Sequence, residues 1–272
     1  MPFIATVALV LLLIAWLVGE PFWVERRRDR LRARPFPAAW REILRRRVPY
    51  VRSLPADLQW QLKRHIQVFL AEKPFIGCAG QLIDDEVRVT IAAQACLLLL
   101  NRRHPRYFPG LRQILVYPGA FAVDRVQTDG AVVQDQRQAL SGESWSQGQV
   151  ILSWADALEG AAVVDDGRNV VIHEFAHQLD QETGPANGAP QLPGRERYAR
   201  WSQVFQAEFD RLQRQLEWQE PSLFCAYAAT NPAEFFAVAS EVFFEQSKAL
   251  AAECPALYNE LACFYRVDPA SW

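Results

Sequence analysis

An apolar run opens the chain. From Pro2 to Gly19 no residue carries a charge, and between Ile4 and Val18 only Thr6 is not apolar. A run of about 18 such residues is near the lower limit for crossing a bilayer as a helix. Trp16, Phe22 and Trp23 stand where an interfacial aromatic belt would lie, and Arg26, Arg27, Arg28, Arg30, Arg32 and Arg34 follow. Arginines gathered on one flank place that flank in the cytoplasm. The pattern therefore predicts a transmembrane anchor over residues 1–20, contacting the membrane through residues 3–19, with the long remainder inside. A cleaved signal peptide would carry basic residues before the run and a small-x-small site after it. No Lys or Arg precedes residue 26, and Gly19-Glu-Pro-Phe is a poor cleavage site.

Residues 21–50, punctuated by Pro35, Pro37 and Pro49, read as an Arg-rich juxtamembrane linker, and residues 51–272 as the body. In the body, Leu58, Leu62, His65, Ile66 and Phe69 recur at helical spacing and predict a helix over residues 56–72. Residues 84–101 read as a buried helix, and residues 111–117 as a strand closed by Pro118-Gly119. The stretch 120–155 has β-type residues interrupted by Gly130, Gly142 and Gly148, with residues 149–154 the clearest strand. A helical pattern then runs from Asp166-Gly-Arg-Asn through Asp180. A loop rich in Gly, Pro and Asn covers residues 184–194, and helices are expected over 195–218 and 232–250. Helices, then short strands, then helices favour an α+β fold, mostly helical with a small mixed sheet.

Composition sharpens this picture in two places. Half of the 272 residues are hydrophobic and 22% are charged, which excludes a disordered chain. The net charge of -2 argues against direct nucleic-acid binding, which needs a basic surface. That total is uneven: residues 1–50 carry ten Arg against four acids, a balance of +6, and the remainder, with 19 basic and 27 acidic residues, stands at -8. The five cysteines are scattered and form no CxxC pair, which disfavours a thiolate metal site and suits buried thiols in a reducing compartment.

The candidate chemistry lies in His173-Glu-Phe-Ala-His177. Histidines at i and i+4 share one helix face, so both imidazoles can hold one zinc ion, while Glu174 can take a proton from water at the open position. A catalytic zinc needs a third protein ligand. His65 and His104 are both upstream and no His follows residue 177, so the third ligand is expected to be a carboxylate: Asp180, Glu234, Glu241 or Glu245. Asp180, on the same helix, suits the orientation of an imidazole. Glu234 has two readings, because Asn231, Pro232 and Glu234 also form a helix-capping pattern. Glu241, two turns after Glu234, would stack beneath it and brace the site.

The segments Asp166 to Asp180 and Tyr227 to Glu241 resemble the zinc peptidases of the Mlc titration factor A family, as do residues 88–100 and 148–154. The resemblance covers roughly residues 40–270. It implies a zincin-like domain of the gluzincin type with one zinc ion per chain. It also implies His173, His177 and Glu234 as zinc ligands, Glu174 as general base and Tyr227 as the hydroxyl that steadies the oxyanion. Val150, Ile151, Leu152 and Ser153 are expected to pair with extended substrate backbone by strand addition. Short peptides are the first substrate expected, with aminopeptidase-like cleavage, and a transcriptional repressor of the Mlc kind is the expected partner. With the anchor, this places the protein in a bacterial inner membrane with its catalytic domain facing the cytoplasm. Two other classes stay open: a membrane-tethered binder that sequesters a regulator, with the zinc site accessory, and a secreted hydrolase, should residues 1–19 be removed.

Overall fold

Helices pack against a small sheet in this computed structural model, which describes Trp16, residues 19–119, 121–129, 132–140, 142–145 and 148–272; over 121–145 it describes the backbone alone. The apolar run expected to cross the membrane lies, except for Trp16 and Gly19, outside these residues. Among the described residues no helix is long and apolar enough to span a bilayer.

The Arg-rich segment expected as a linker is helical and packed. Residues 19–32 form helix α1 and Ala38–Arg47 form α2. Arg28 makes a forked pair with Glu72, both bonds at 2.8 Å, and its guanidinium lies 4.9 Å from the centre of the Tyr107 ring. Ile43 and Leu44 of α2 enter the core. Charge and apolar spacing here serve two ends: Arg28 and Arg32 are spent on the body, while Phe22 and Trp23 stay exposed.

Helix α3 spans Ala56–Glu72 and α4 spans Asp85–Leu97, capped by the Asp84 side chain. A four-stranded sheet has the order β1 (Phe75–Gly77), β2 (Gln113–Tyr117), β6 (Gln149–Ser153), β5 (Gly142–Trp145). The first three strands are parallel and β5 is antiparallel to β6. Strands β3 (Phe121–Asp129) and β4 (Val132–Leu140) form a separate antiparallel hairpin. The sheet therefore contains two parallel connections, from β1 through α4 to β2 and from β2 to β6, which the order of elements alone did not predict.

Helices α5 (Trp154–Ala162), α6 (Val170–Asp180) and α7 (Gly194–Glu217) follow. The expected helix over 232–250 is two helices, α8 (Pro232–Glu245) and α9 (Ser247–Glu253). The break falls at Gln246, whose ψ of 37° leaves the helical region and whose side-chain amide donates to the Asp165 carbonyl at 3.0 Å. Helix α10 (Pro255–Tyr265) closes against α7 and α8. One aromatic-rich core joins these helices, with Trp201 stacked on Phe205 at 4.0 Å. Of the five cysteines only Cys96 and Cys254 are buried; Cys225 and Cys263 are exposed.

Candidate metal centre

Helix α6 begins where Asn169 stops being extended backbone. Its side-chain oxygen accepts the Ile172 N–H, and its side-chain amide donates to the Gly160 carbonyl and to Glu245. An Asn before an apolar periodic run is a helix-start signal, and it could have marked Asn169 from sequence. Val171, Ile172, Phe175, Ala176 and Leu179 fill the core face of α6. The remaining face turns His173 and His177 toward α8, with ring centres 4.9 Å apart.

Helix α8 supplies the third group. The Asn231 oxygen accepts the N–H groups of Ala233 and Glu234. Only half of the capping pattern is thus formed, and the Glu234 side chain turns to the histidines instead. Its Oε2 lies 3.1 Å from His173 Nε2 and 3.3 Å from His177 Nε2. One ligand atom from each of these residues lies within 4.8 Å of those of the other two. Two imidazole nitrogens and a carboxylate oxygen meeting at one point form the donor set of a divalent transition-metal site, so these residues fit such an ion.

The electrostatics agree. Burial pulls the His173 imidazole toward neutrality, but Glu234 and Glu241 outweigh it and hold its pKa well above the usual range. Burial pushes Glu234 up, but the two imidazoles outweigh that and hold its carboxyl well below the usual carboxylate range. Strong opposing shifts of this kind concentrate at functional sites.

Glu241 Oε1 lies 2.7 Å from His173 Nδ1, and Oε2 accepts the Asn169 backbone N–H. One carboxylate therefore ties the first histidine to the start of its own helix. Removing such an outer partner typically costs ~10–100-fold in metal affinity. Glu241→Gln is accordingly expected to bind zinc about 10–100-fold more weakly, as measured by competition against a chelator dye, with an unchanged helical spectrum.

One expectation is refined and one is corrected. Asp180 Oδ2 accepts the backbone N–H groups of Asn187 and Gly188, while its carboxylate also acts electrostatically on His177. It pins the loop after α6. There Gly188, at φ +78°, is so close to Pro232 that a Cβ would lie 2.4 Å from the Pro232 carbonyl oxygen. Val150, Ile151, Leu152 and Ser153 do not present a free edge. They are buried in β6, whose two edges are taken by β2 and β5, and Ser153 caps α5 through the Asp156 N–H. Periodicity identified the strand but held no information on its neighbours.

Glu174 is buried on α6. Tyr227, in a short 3₁₀ turn (Ala226–Ala229), is 53% exposed with its ring centre 6.0 Å from that of His173. Glu245 meets Asn169 rather than the histidines. Burial pushes its carboxyl up to about 8, against an ordinary ~4.3 for glutamate. The folded chain therefore holds a proton that the unfolded chain releases, and stability falls as pH rises through the interval between those values. In thermal melts across that interval, Glu245→Gln is expected to show the shallower decline with pH.

The chain matches the family described as Glucose-regulated metallo-peptidase M90 over residues 23–266. It is 41% identical over 271 residues to the uncharacterized protein slr2042 of Synechocystis, covering 99% of this chain and 98% of that one. It is 36% identical over 234 residues to Mlc titration factor A of Escherichia fergusonii, covering 85% and 86% of the two chains. The identity to Mlc titration factor A of Salmonella typhi is 35% over 227 residues, covering 82% and 84%.

Proposed function

The chain belongs to the Glucose-regulated metallo-peptidase M90 family, and we propose that it hydrolyses peptide bonds with a single zinc ion held by His173, His177 and Glu234. The observation that carries this reading is the meeting of His173 Nε2, His177 Nε2 and Glu234 Oε2 at one point, with Glu174 on the same helix as both histidines. Bound there, zinc would polarise a peptide carbonyl and acidify water toward a pKa of ~7. Glu174 takes a proton from the attacking water and passes it to the leaving amine. Tyr227 donates its hydroxyl to the developing oxyanion. Glu241 fixes the His173 ring through Nδ1, which leaves Nε2 aimed at the shared centre.

Short peptides, cleaved in an aminopeptidase-like manner, are the first substrates to test. Several relatives carry a name that refers to Mlc, and a repressor of that kind is the first protein partner to test.

The location we propose is a bacterial inner membrane, spanned once by residues 3–19, with the body in the cytoplasm. The uncharged run and the arginines after it support this. The similarity to slr2042 also extends over the run, since it covers 99% of the chain.

Two experiments test these readings. The zinc-loaded protein is expected to cleave short peptide amides and to stop when a chelator is added; cleavage that persists in excess chelator would refute the assignment. A reporter active only in the cytoplasm, fused at the carboxyl terminus, is expected to report; a signal only from a periplasmic reporter would reverse the topology.

A further inference from the structure

A polar cavity of about 290 Å³ lies against the C-terminal end of α6 and the loop after it. Its lining includes the apolar side chains of Leu99, Leu192 and Phe264 and the basic ones of Arg102, Arg106 and Arg266, together with His104. The volume is at the lower end of small-molecule sites, which run from ~300 Å³ upward.

The charges in this cavity are unbalanced. Glu182 is the one carboxylate in the lining, and Arg106 already engages it at 2.7 Å while also donating to Gln191. Arg102 lies with its guanidinium carbon 5.1 Å from the centre of the Phe264 ring. Its Nε and Nη2 are buried, and among the described residues neither has a hydrogen-bond partner. Burial pulls its pKa down. Buried N–H donors without acceptors are costly, and a guanidinium fork matches the paired oxygens of a phosphate.

Arg102 also lies near a helix end. Helix α10 ends beside it at Tyr265, and cations near a helix C-terminus are favoured by the helix dipole. Yet Nε and Nη2 donate to none of the carbonyls there, so that role leaves both donors unexplained. An anion seated in the cavity would offset the surplus positive charge that Arg102, Arg106 and Arg266 bring to its lining.

We propose that this cavity binds a small phosphomonoester. Its phosphate sits on Arg102, Arg106 and Arg266, and its uncharged remainder lies on Phe264 and Leu192. No ligand of the metal centre takes part, so the proposal stands independently of the peptidase reading.

Calorimetric titration of inorganic phosphate and of phenyl phosphate into the full-length zinc-loaded protein, against chloride matched for ionic strength, tests it. Saturable binding is expected, tighter for phenyl phosphate, because the ring adds apolar contact. Arg102→Gln and Arg106→Gln are each expected to weaken it about tenfold, the effect of losing one charge-assisted contact. Arg106 has an exposed side chain, so its variant keeps the test decisive if Arg102→Gln does not fold. Absence of saturable binding, or an affinity that Arg106→Gln leaves unchanged, as binding at the zinc would, overturns the proposal.

Discussion

Glu174→Gln is expected to bind zinc as the natural protein does and to lose peptide hydrolysis by ~10²–10⁴-fold, the range for removing a positioned general base. The substitution keeps size and shape in a residue that is only 4% exposed, and it leaves the Asn169 cap and the apolar face of α6 intact. What it removes is the ability to accept a proton. Paired measurements of metal stoichiometry and of kcat on one peptide amide separate the two effects. Loss of zinc together with loss of rate would make Glu174 a structural residue. Retention of both would show that water is activated by another group.

Glu234→Ala is expected to have a comparably large effect by a different route. The carboxylate bridges both imidazoles, so its removal takes away one of three ligand atoms. The loss in zinc affinity is expected to exceed the ~10–100-fold that an outer partner such as Glu241 contributes. The fold is expected to survive. Asn231 still caps α8 through two backbone N–H groups, and Phe235 and Phe236 keep their places in the aromatic core. Zinc titration by calorimetry, with a far-UV spectrum as control, checks this. Unaltered affinity would remove Glu234 from the ligand set and return the choice to the other carboxylates.

The parts of this molecule that follow a local rule were legible in its sequence. The i, i+4 spacing places His173 and His177 on one helix face whatever the rest of the chain does, and the helix over 56–72 follows from its period alone. Glu234 was ambiguous because capping and metal binding use the same residue at the same position. In the structure Asn231 caps alone, and the Glu234 side chain turns across to α6.

Features that depend on partners distant in the chain were not legible. Strand β6 reads the same whether at a sheet edge or inside, and only the pairing with both β2 and β5 removes Val150 to Ser153 from contact with substrate. Asp180 lies near His177 in sequence, but no local pattern indicates the loop that returns at Asn187 and Gly188 to donate to its Oδ2. The arginines after the apolar run read as part of a juxtamembrane linker. Arg28 pairs with Glu72, 44 residues away, a partner that no local pattern indicates.

The most direct test of the central claim is a zinc titration of chelator-stripped protein, with hydrolysis of a short peptide amide followed at each addition. Rates that rise from zero in proportion to zinc and break at one equivalent per chain are the result predicted here. Hydrolysis already present without metal, or rates that stay flat past one equivalent, would contradict a single catalytic zinc held by His173, His177 and Glu234.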